Sequence, residues 1–427
     1  MKQLPLSRSE GPAVGRLSGV DAFEDNLRRF AWEGRPTRVK MTETDCDGHS
    51  VSLETYTNEF WTSKQRAGNS LHEISYRACF KPQLVDFFVQ RLTEPGEVVY
   101  DPFMGRGTTL VEAALRDRTV AGCDVNPLSR VLTKPRLAPP TLEQVSDRLH
   151  AIDLTDGVCD REGLDVFFHS DTLKTICALR SYLRKRQISG KMDTVDEWIE
   201  MVAVNRLTGH SRGFFSVYTL PPNQAVSIAS QRKINARRGQ TPPARDVVQL
   251  ILKKSKSLLR DCDHATRRRL AGHAGGAQLL VRASSRTPEL QSSSVHLVVT
   301  SPPFLDVVDY ATDNWLRCWF CGIEADTVPI TIARKLDTWR AAMTDVFAEL
   351  RRVLVPGGHV AFEVGEVRGG AIKLEETAIP CGESVGLEPL AVVINSQTFT
   401  KTANCWGVSN NRKGTNTNRI VLFRKSN

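Results

Sequence analysis

One Gly-rich run of the sequence has the composition of a ligand-binding turn. It reads Asp101-Pro102-Phe103-Met104-Gly105-Arg106-Gly107-Thr108-Thr109 and follows the apolar residues 98–100. Because glycine has no Cβ, such a turn at the end of a strand lets a ligand come close to the backbone. The leading carboxylate of Asp101 would repel a phosphate group, so the run favours a cationic or amino-bearing ligand.

A second acid, Asp124, ends the next apolar run, residues 119–123. A carboxylate at the end of the second strand of a β-α-β unit can accept hydrogen bonds from both hydroxyls of a ribose. An acid-led turn and a ribose-binding acid together suit an adenosyl ligand that carries an amino-acid tail and no phosphate. The two runs therefore predict S-adenosylmethionine as the cofactor.

A third run, Ser301-Pro302-Pro303-Phe304, follows the apolar residues 295–299. Consecutive prolines stiffen the turn and remove two backbone donors. The Ser301 hydroxyl and the Pro302 carbonyl can therefore accept hydrogen bonds from an incoming amine, and the Phe304 ring can stack on a base pulled out of its helix. Taken alone, this run could be an ordinary turn. In a chain that also contains the Asp101–Thr109 run, it predicts a catalytic loop for methyl transfer to an amine.

Short buried strands must position these runs. Apolar stretches bounded by turn residues predict seven strands, at residues 98–100, 119–124, 278–281, 295–299, 359–364, 390–394 and 419–423. Helical spacing between them, as in residues 84–92 and 338–354, predicts an α/β fold with a parallel sheet. Residues 136–277 interrupt this pattern with helical pieces. Residues 1 to about 55 are polar and weakly patterned, which is typical of a poorly ordered arm or a partial cover.

Positive charge is concentrated in the interruption. The chain has a net charge of +9, and residues 225–281 alone contain twelve Lys and Arg against three acids. Such a segment is typical of binding to a phosphate backbone, although a solvated helix face would have the same composition. Its candidate DNA contacts are Arg232, Lys233, Arg237 and Arg238. The nearby run 205–215 is either a loop packed on the core or a second contact to base edges.

Bulk composition excludes several other classes of protein. Ten scattered cysteines favour a reducing compartment over a disulfide framework. The one close pair, Cys318 and Cys321, has no second Cys or His pair at similar spacing, so no metal site is expected. No stretch approaches the ~20 uncharged apolar residues of a membrane-spanning helix, and residues 1–9 have no apolar core typical of a secretion signal. We therefore expect a cytoplasmic protein that binds no membrane.

With these runs taken together, the sequence resembles the amino-methyltransferases of bacterial restriction-modification systems, which act on cytosine N4 or adenine N6. Asp101–Thr109 matches the family's cofactor motif, and Asp124 its second acidic position. Ser301–Phe304 matches the catalytic tetrapeptide Asp/Asn/Ser-Pro-Pro-aromatic. Residues 80–84 are similar to the Lys-Pro-containing segment that packs beside the methionine tail. The third strand departs from the pattern, because Arg282-Ala283-Ser284 replaces the usual Gly-Asp-Ser.

The resemblance implies a Rossmann-like S-adenosylmethionine-dependent methyltransferase with a seven-stranded, mostly parallel sheet and an inserted target-recognition domain. It divides the chain into an N-terminal arm (1–70), a cofactor-binding half (71–135), an inserted DNA target-recognition region (136–277) and a catalytic half (278–427). The implied cofactor-binding residues are Lys81, Pro82, Asp101, Pro102, Phe103, Gly105, Gly107, Thr108, Thr109, Asp124 and Asn126. The implied catalytic residues are Ser301, Pro302, Pro303 and Phe304.

The function expected from this resemblance is methylation of the exocyclic N4 of cytosine at a specific site in double-stranded DNA, after the base has been flipped out. Serine at the first catalytic position is more typical of the cytosine-N4 group, whereas aspartate is commoner in adenine-N6 enzymes. The alternatives are adenine-N6 methylation and, less favoured, an RNA or protein amino-methyltransferase. A catalytically dead DNA-binding protein is disfavoured, because the main chemical groups are present.

Two further expectations complete this hypothesis. A cytosine-C5 enzyme would need a cysteine nucleophile after proline on the fourth-strand loop, whereas Pro380-Cys381 lies near the sixth strand. A restriction-modification setting implies a bacterial or archaeal cytoplasm. It also implies a cognate restriction endonuclease that acts on the same site.

Overall fold

The structure, a computed structural model, describes residue 17 and residues 20–62, 68–76, 79–219, 225–303, 310–328, 335–367, 372–396 and 417–426. Within these ranges the α-helices are α1 (Val20–Arg29), α2 (Pro82–Leu92), α3 (Thr108–Leu115), α4 (Leu128–Leu137), α5 (Leu142–Ala151), α6 (Ser170–Ile188), α7 (Thr194–Val204), α8 (Ile228–Arg238), α9 (Val247–Leu258), α10 (His264–Ala274), α11 (Tyr310–Cys321), α12 (Leu336–Val353) and α13 (Leu374–Ser384). Short 3-10 helices lie at Ser70–His72, Leu164–Val166 and Ala325–Thr327.

The strands in the same ranges are β1 (Ala31–Trp32), β2 (Arg35–Pro36), β3 (Arg38–Cys46), β4 (His49–Asn58), β5 (Val98–Asp101), β6 (Thr119–Asp124), β7 (Gln278–Val281), β8 (Val295–Thr300), β9 (Leu354–Val364), β10 (Glu366–Val367), β11 (Ile372–Lys373), β12 (Glu388–Ser396) and β13 (Thr417–Arg424). Nine of them form one sheet in the order β3-β4-β12-β13-β9-β8-β5-β6-β7. The block from β9 to β7 is parallel throughout, and β13 runs antiparallel to both β9 and β12. The carboxyl ends of β5, β6 and β8 therefore meet at one edge of the sheet.

All seven predicted strands are present, as β5, β6, β7, β8, β9, β12 and β13. Their apolar runs are nearly continuous because helices cover both faces of the sheet. On β8, for example, Leu297 and Val299 belong to one core, whereas Val298 belongs to the core on the opposite face. The predicted Rossmann-like methyltransferase fold is confirmed in its mostly parallel multi-strand sheet.

The sheet nevertheless has nine strands and not seven, and the two additional strands come from the segment predicted to be an arm. β3 and β4 form an antiparallel hairpin, and β4 pairs in parallel with β12, where Glu54 faces Ala391. Asp47 and Gly48, both at positive φ, close the hairpin. The expectation of a poorly ordered arm over residues 1 to about 55 is therefore wrong for the described residues 20–55. It failed because β3 is mostly exposed, so its sequence lacks an apolar run.

The helical insertion between β6 and β7 packs on one face of this sheet. Trp198 of α7 and Ile251 of α9 belong to the same buried core as Leu297 of β8. The insertion is therefore continuous with the core that supports the edge of the sheet where the carboxyl ends of β5, β6 and β8 meet (the catalytic edge). Its assignment to target recognition remains a prediction.

Candidate cofactor and catalytic site

A cavity of about 450 Å³ lies where the carboxyl ends of β5, β6 and β8 meet. This volume is in the range of small-molecule sites, and this edge is where open α/β sheets bind ligands. Eight of the predicted site residues line it: Pro102, Phe103, Gly105, Thr108, Asp124, Asn126, Ser301 and Pro303. The cofactor turn and the catalytic loop, far apart in the sequence, thus share one cavity.

The glycines of the turn are required by its backbone. Gly105 and Gly107 have φ of 48° and 73°, a region that side chains disfavour. Gly107 also precedes α3 at a point of close contact, since a Cβ there would lie 2.2 Å from Oγ1 of Thr133. The turn therefore holds the amino end of α3 against α4, and substituting Gly107 would displace it.

Asp124 presents an oriented carboxylate to the cavity. Its Oδ2 accepts a hydrogen bond from the backbone N–H of Gly105 at 2.8 Å, and its Oδ1 accepts one from Asn126 N–H at 2.9 Å. Burial raises the pKa of Asp124 to about 6, and these two hydrogen bonds only partly oppose that shift. No described Lys or Arg forms an ion pair with it. The remaining lone pairs of its oxygens can accept hydrogen bonds from a ligand.

Asp101 lies behind the cavity wall and not on it, with 1% of its surface exposed. Its Oδ1 accepts hydrogen bonds from the Thr300 hydroxyl at 2.6 Å and from Phe103 N–H at 3.0 Å. Nearby, the Thr109 hydroxyl donates to the Val299 carbonyl at 2.9 Å. These bonds tie the cofactor turn to the catalytic loop. Burial raises the pKa of Asp101 to about 7.

The catalytic loop contains a feature that the sequence reasoning missed. Ser301 is half-buried and lines the cavity, and its hydroxyl lies beside the carboxylate of Glu363 on β9. Asn418 Nδ2 donates to Glu363 at 2.6 Å. Burial raises the pKa of Glu363. From this position the Ser301 hydroxyl can donate to the carboxylate, which would leave its oxygen lone pairs to accept a hydrogen bond from a substrate. Phe304 lies outside the described residues.

Other predicted residues support the cavity without lining it. Lys81 precedes α2 and is half-buried, which lowers the pKa of its amine, and Pro82 is the first residue of α2. Pro302 is the buried residue of the catalytic loop. Gly107 and Thr109 act through the contacts described above. Their direct contact with a cofactor therefore stays a prediction.

Helix α12 supplies a cavity wall that was not predicted. Trp339, Ala342, Met343 and Val346 line the cavity from this helix, at the spacing of one helical face. An apolar face at that spacing was visible in the sequence, but it looked like any core-facing helix. Tyr76, Phe80 and Ser284 complete further parts of the lining.

The basic segment separates into two groups of cations. In α9 and α10 and between them, several are bound within the chain: Lys254 donates to the Glu73 carbonyl, Arg260 pairs with Glu73 at 3.0 Å, and Arg269 pairs with Asp117 at 3.3 Å. On α8, by contrast, Arg232, Lys233 and Arg237 are exposed and form no ion pair with a described residue.

The remaining predicted contact on α8, Arg238, is already engaged. Its guanidinium lies 3.9 Å from the centre of the Tyr218 ring, and its Nε donates to Gln240 at 3.3 Å. The opposite side of α8 is pinned to the protein, because Asn235 donates to the Val166 carbonyl at 2.7 Å. The exposed cationic face is therefore held in a fixed orientation.

The described part of the chain has no feature of a metal site or of a membrane-spanning helix. Among the described residues, no group of three or more His, Cys, Asp or Glu side chains could hold a metal ion. Cys318 and Cys321 are buried free thiols in α11. Pro380 and Cys381 lie within α13, directly before β12. No described helix is long and apolar enough to cross a membrane.

Sequence comparison agrees with this geometry. Residues 28–129 match the model of an N6/N4 methyltransferase family described as DNA methylase. That range contains the β3–β4 hairpin, the Asp101–Thr109 turn and Asp124. This chain resembles the DNA amino-methyltransferases.

Individual relatives of that class match parts of the chain. Type II methyltransferase M.MjaII of Methanocaldococcus jannaschii is 37% identical over 76 residues, which are 18% of this chain and 14% of that protein. Type II methyltransferase M.BsoBI of Geobacillus stearothermophilus is 20% identical over 308 residues, 64% of this chain and 56% of that protein. The chain thus spans less than two thirds of either relative. The solved rRNA methyltransferase AviRa of Streptomyces viridochromogenes is 13% identical, with 84% of this chain and 90% of that one covered and a TM-score of 0.33.

S-adenosylmethionine fits the side chains around the cavity. Asp124 offers a carboxylate for the ribose hydroxyls, and α12 offers an apolar wall. Arg106 is the one Lys or Arg among the described residues that line the cavity. Its guanidinium donates to the carbonyls of Ile74 at 3.0 Å and His72 at 3.3 Å, so it is not directed to a phosphate. Together with the amino-methyltransferase resemblance, these features support S-adenosylmethionine as the cofactor.

Proposed function

We propose that the protein is a DNA amino-methyltransferase that transfers a methyl group from S-adenosylmethionine to the exocyclic N4 of cytosine in double-stranded DNA. The observation that carries this proposal is the meeting of the Asp101–Thr109 turn, Asp124 and the Ser-Pro-Pro loop around one cavity. The serine at position 301 favours cytosine N4 over adenine N6, which is the second candidate product.

The residues of the loop are suited to activate a weakly nucleophilic amine. The amine lone pair of cytosine is delocalised into the ring, so a hydrogen-bond acceptor must favour its pyramidal form. Ser301 Oγ and the Pro302 carbonyl can serve as those acceptors, and Glu363 is close enough to Ser301 to accept its hydroxyl proton. When bound, S-adenosylmethionine supplies an electrophilic methyl group on a sulfonium that is already a good leaving group.

The proton released from the amine has a route out through these side chains. When the nitrogen takes the methyl group, the methyl–sulfur bond would break and leave a neutral thioether, the surplus amine proton would pass to Ser301 Oγ, and the proton of that hydroxyl would move to the Glu363 carboxylate. The raised pKa of Glu363 makes that carboxylate a better proton acceptor than an ordinary glutamate. Positioning and local electrostatics then account for the catalysis.

The DNA duplex is proposed to contact the exposed cations of α8. Helix α8 follows Ala225, whose carbonyl accepts a hydrogen bond from Trp315 Nε1 at 3.1 Å in α11, the helix after the catalytic loop. The segment that leads into α8 is therefore in direct contact with the helix that follows the catalytic loop. Base flipping, with Phe304 stacked on the extruded base, and a cognate restriction endonuclease are further parts of this proposal.

Methyl transfer from labelled S-adenosylmethionine to plasmid DNA, RNA and protein, followed by mass spectrometry of the nucleosides, tests the proposed function. We expect N4-methylcytosine from DNA alone. N6-methyladenine would select the second candidate, and 5-methylcytosine or transfer only to RNA or protein would contradict the proposal. Ser301→Ala should lower kcat about 100-fold with nearly unchanged cofactor affinity, because its contact forms mainly in the transition state.

A further inference from the structure

Trp339 makes a contact with the catalytic loop that no sequence motif predicts. This residue lies in the first turn of α12, is 2% exposed, and lines the cavity. Its indole Nε1–H donates a hydrogen bond to the carbonyl of Pro303 at 2.8 Å. One side chain thus contacts both the cavity and the third residue of the Ser-Pro-Pro loop.

The chemistry of consecutive prolines makes that bond influential. The ring of Pro303 fixes its φ, so the planar peptide between Pro302 and Pro303 keeps one orientation relative to the Cα of Pro303. The carbonyl of Pro303 sets the other torsion of that residue. When Trp339 holds this carbonyl, the direction of the Pro302 carbonyl is also restricted. The loop has no backbone N–H at positions 302 and 303 with which to hold itself.

The other side of the loop is fixed by separate groups. Thr300 donates to Asp101 at 2.6 Å, and Ser301 lies beside Glu363. These contacts orient the residues before the prolines but not the prolines themselves. Among the described side chains, Trp339 is therefore the one that donates a hydrogen bond to the proline part of the loop.

We propose that Trp339 is a positioning residue for methyl transfer, which aims the Pro302 carbonyl at the substrate amine by holding the carbonyl of Pro303. This role rests on the proposed function. Trp339 acts through the loop and contributes no group to the reaction itself. Its aromatic ring serves separately as cavity wall.

Trp339→Phe tests the polar role, because phenylalanine keeps an aromatic ring in the buried position, although it loses part of the indole volume together with the N–H donor. We expect kcat for DNA methylation to fall about tenfold, within the range for loss of a single hydrogen bond to a positioned group. The Kd for S-adenosylmethionine, measured by calorimetry, and the KM for DNA should stay within twofold of wild type.

Trp198→Phe is the matched control. Trp198 is fully buried in α7, and its Nε1–H donates to the Ser255 hydroxyl at 3.0 Å, away from the cavity. It should lower the unfolding temperature by as much as Trp339→Phe does while kcat stays at the wild-type value. A kcat that falls equally in both variants would show a general loss of stability and overturn the positioning role.

The remaining outcomes are also decisive. A Trp339→Phe variant with wild-type kcat would overturn the inference while leaving the proposed function intact. If the Kd for S-adenosylmethionine rises as much as kcat falls, Trp339 is a cofactor wall and not a positioning residue. A wild-type protein that transfers no methyl group to DNA would instead overturn the proposed function and, with it, this role.

Discussion

Carboxylates occur in two regions of the molecule under opposite conditions. In the helical insertion, the partly exposed Asp193 and the buried Asp196 lie between Arg148 and Arg186, with Arg148–Asp193 at 2.7 Å and Arg186–Asp193 at 3.4 Å. At the catalytic edge, Asp101, Asp124 and Glu363 form no ion pair with any described residue. The insertion surrounds its acids with guanidinium groups, and the catalytic edge does not.

The pKa shifts follow this difference. At the catalytic edge, burial raises the pKa of all three acids. In the insertion, burial also opposes ionisation of Asp193, but hydrogen bonds from Arg148 and from backbone N–H groups outweigh it and lower its pKa. Acids that hold helices together are compensated within the fold, whereas Asp124, on the cavity wall, is left for a ligand that brings hydroxyl donors. Asp101 and Glu363 lie behind it, and the raised pKa values of the three acids lower the stability of the folded protein at neutral pH.

Glu363→Gln should give the largest effect. Glutamine can still accept a hydrogen bond from Ser301, but it cannot receive a proton, so kcat should fall about 100-fold. The Kd for S-adenosylmethionine should stay within twofold. Glu349→Gln is the control, because Glu349 already pairs with Arg352 at 2.7 Å. That variant should lose stability and keep kcat. Single-turnover methylation assays compare the two variants. Equal rates for Glu363→Gln and Glu349→Gln would contradict a special role for the unpaired acid Glu363.

Asp124→Ala should raise the Kd for S-adenosylmethionine about 30-fold, because two hydrogen bonds from the ribose hydroxyls to a charged acceptor are lost. Asp193→Ala should leave this Kd unchanged while lowering the unfolding temperature by several degrees. Calorimetric titration and thermal unfolding measure the two quantities. If Asp124→Ala bound the cofactor with wild-type affinity, the ribose assignment would be wrong.

Asp101→Asn should stabilise the protein at alkaline pH. Since the pKa of Asp101 in the folded protein, about 7, exceeds its ordinary value of 3.8, the folded state binds this proton more tightly than the unfolded chain. Its contribution to stability is therefore lost as the pH rises from about 4 through 7. The asparagine variant lacks this loss and should gain about 2–3 kcal/mol relative to wild type between pH 5 and pH 8. Urea unfolding at both pH values measures this, and a constant difference would contradict it.

Lys233→Ala combined with Arg237→Ala should give the smallest effect. These α8 cations have no acid to pair with among the described residues, so they mirror the uncompensated acids of the site. If they contact phosphates, the slope of log K for DNA binding against log salt should become shallower by about 2. Arg268→Ala combined with Arg269→Ala on α10 is the control, because Arg269 pairs with Asp117. If the salt slope became equally shallow in both variants, the contribution to DNA binding could not be assigned to α8.

The strands that build the site could be predicted because each is an apolar run bounded by turn residues. The turn at Asp101–Thr109 and the loop at Ser301–Pro303 were likewise visible in the sequence, because glycine and proline mark turns through their unusual backbone conformations. Glu363 was missed because a single acid within the apolar strand 359–364 has no spacing to mark it. Only the fold shows that β9 brings it beside Ser301. The β3–β4 hairpin was missed because polar exposed strands lack the apolar signal.

The position of that hairpin in the sequence also determines how late during synthesis the sheet can be completed. Trp61, just after β4, donates its backbone N–H to the Asn395 side chain at 3.1 Å, across a separation of 334 residues. At ~5–20 residues per second, synthesis of the intervening chain takes roughly 20–70 seconds. During that interval the edge of β4 that pairs with β12 has no partner strand. Closure of the sheet is thus a late and non-local event, of the kind that slows folding and exposes strand edges to aggregation.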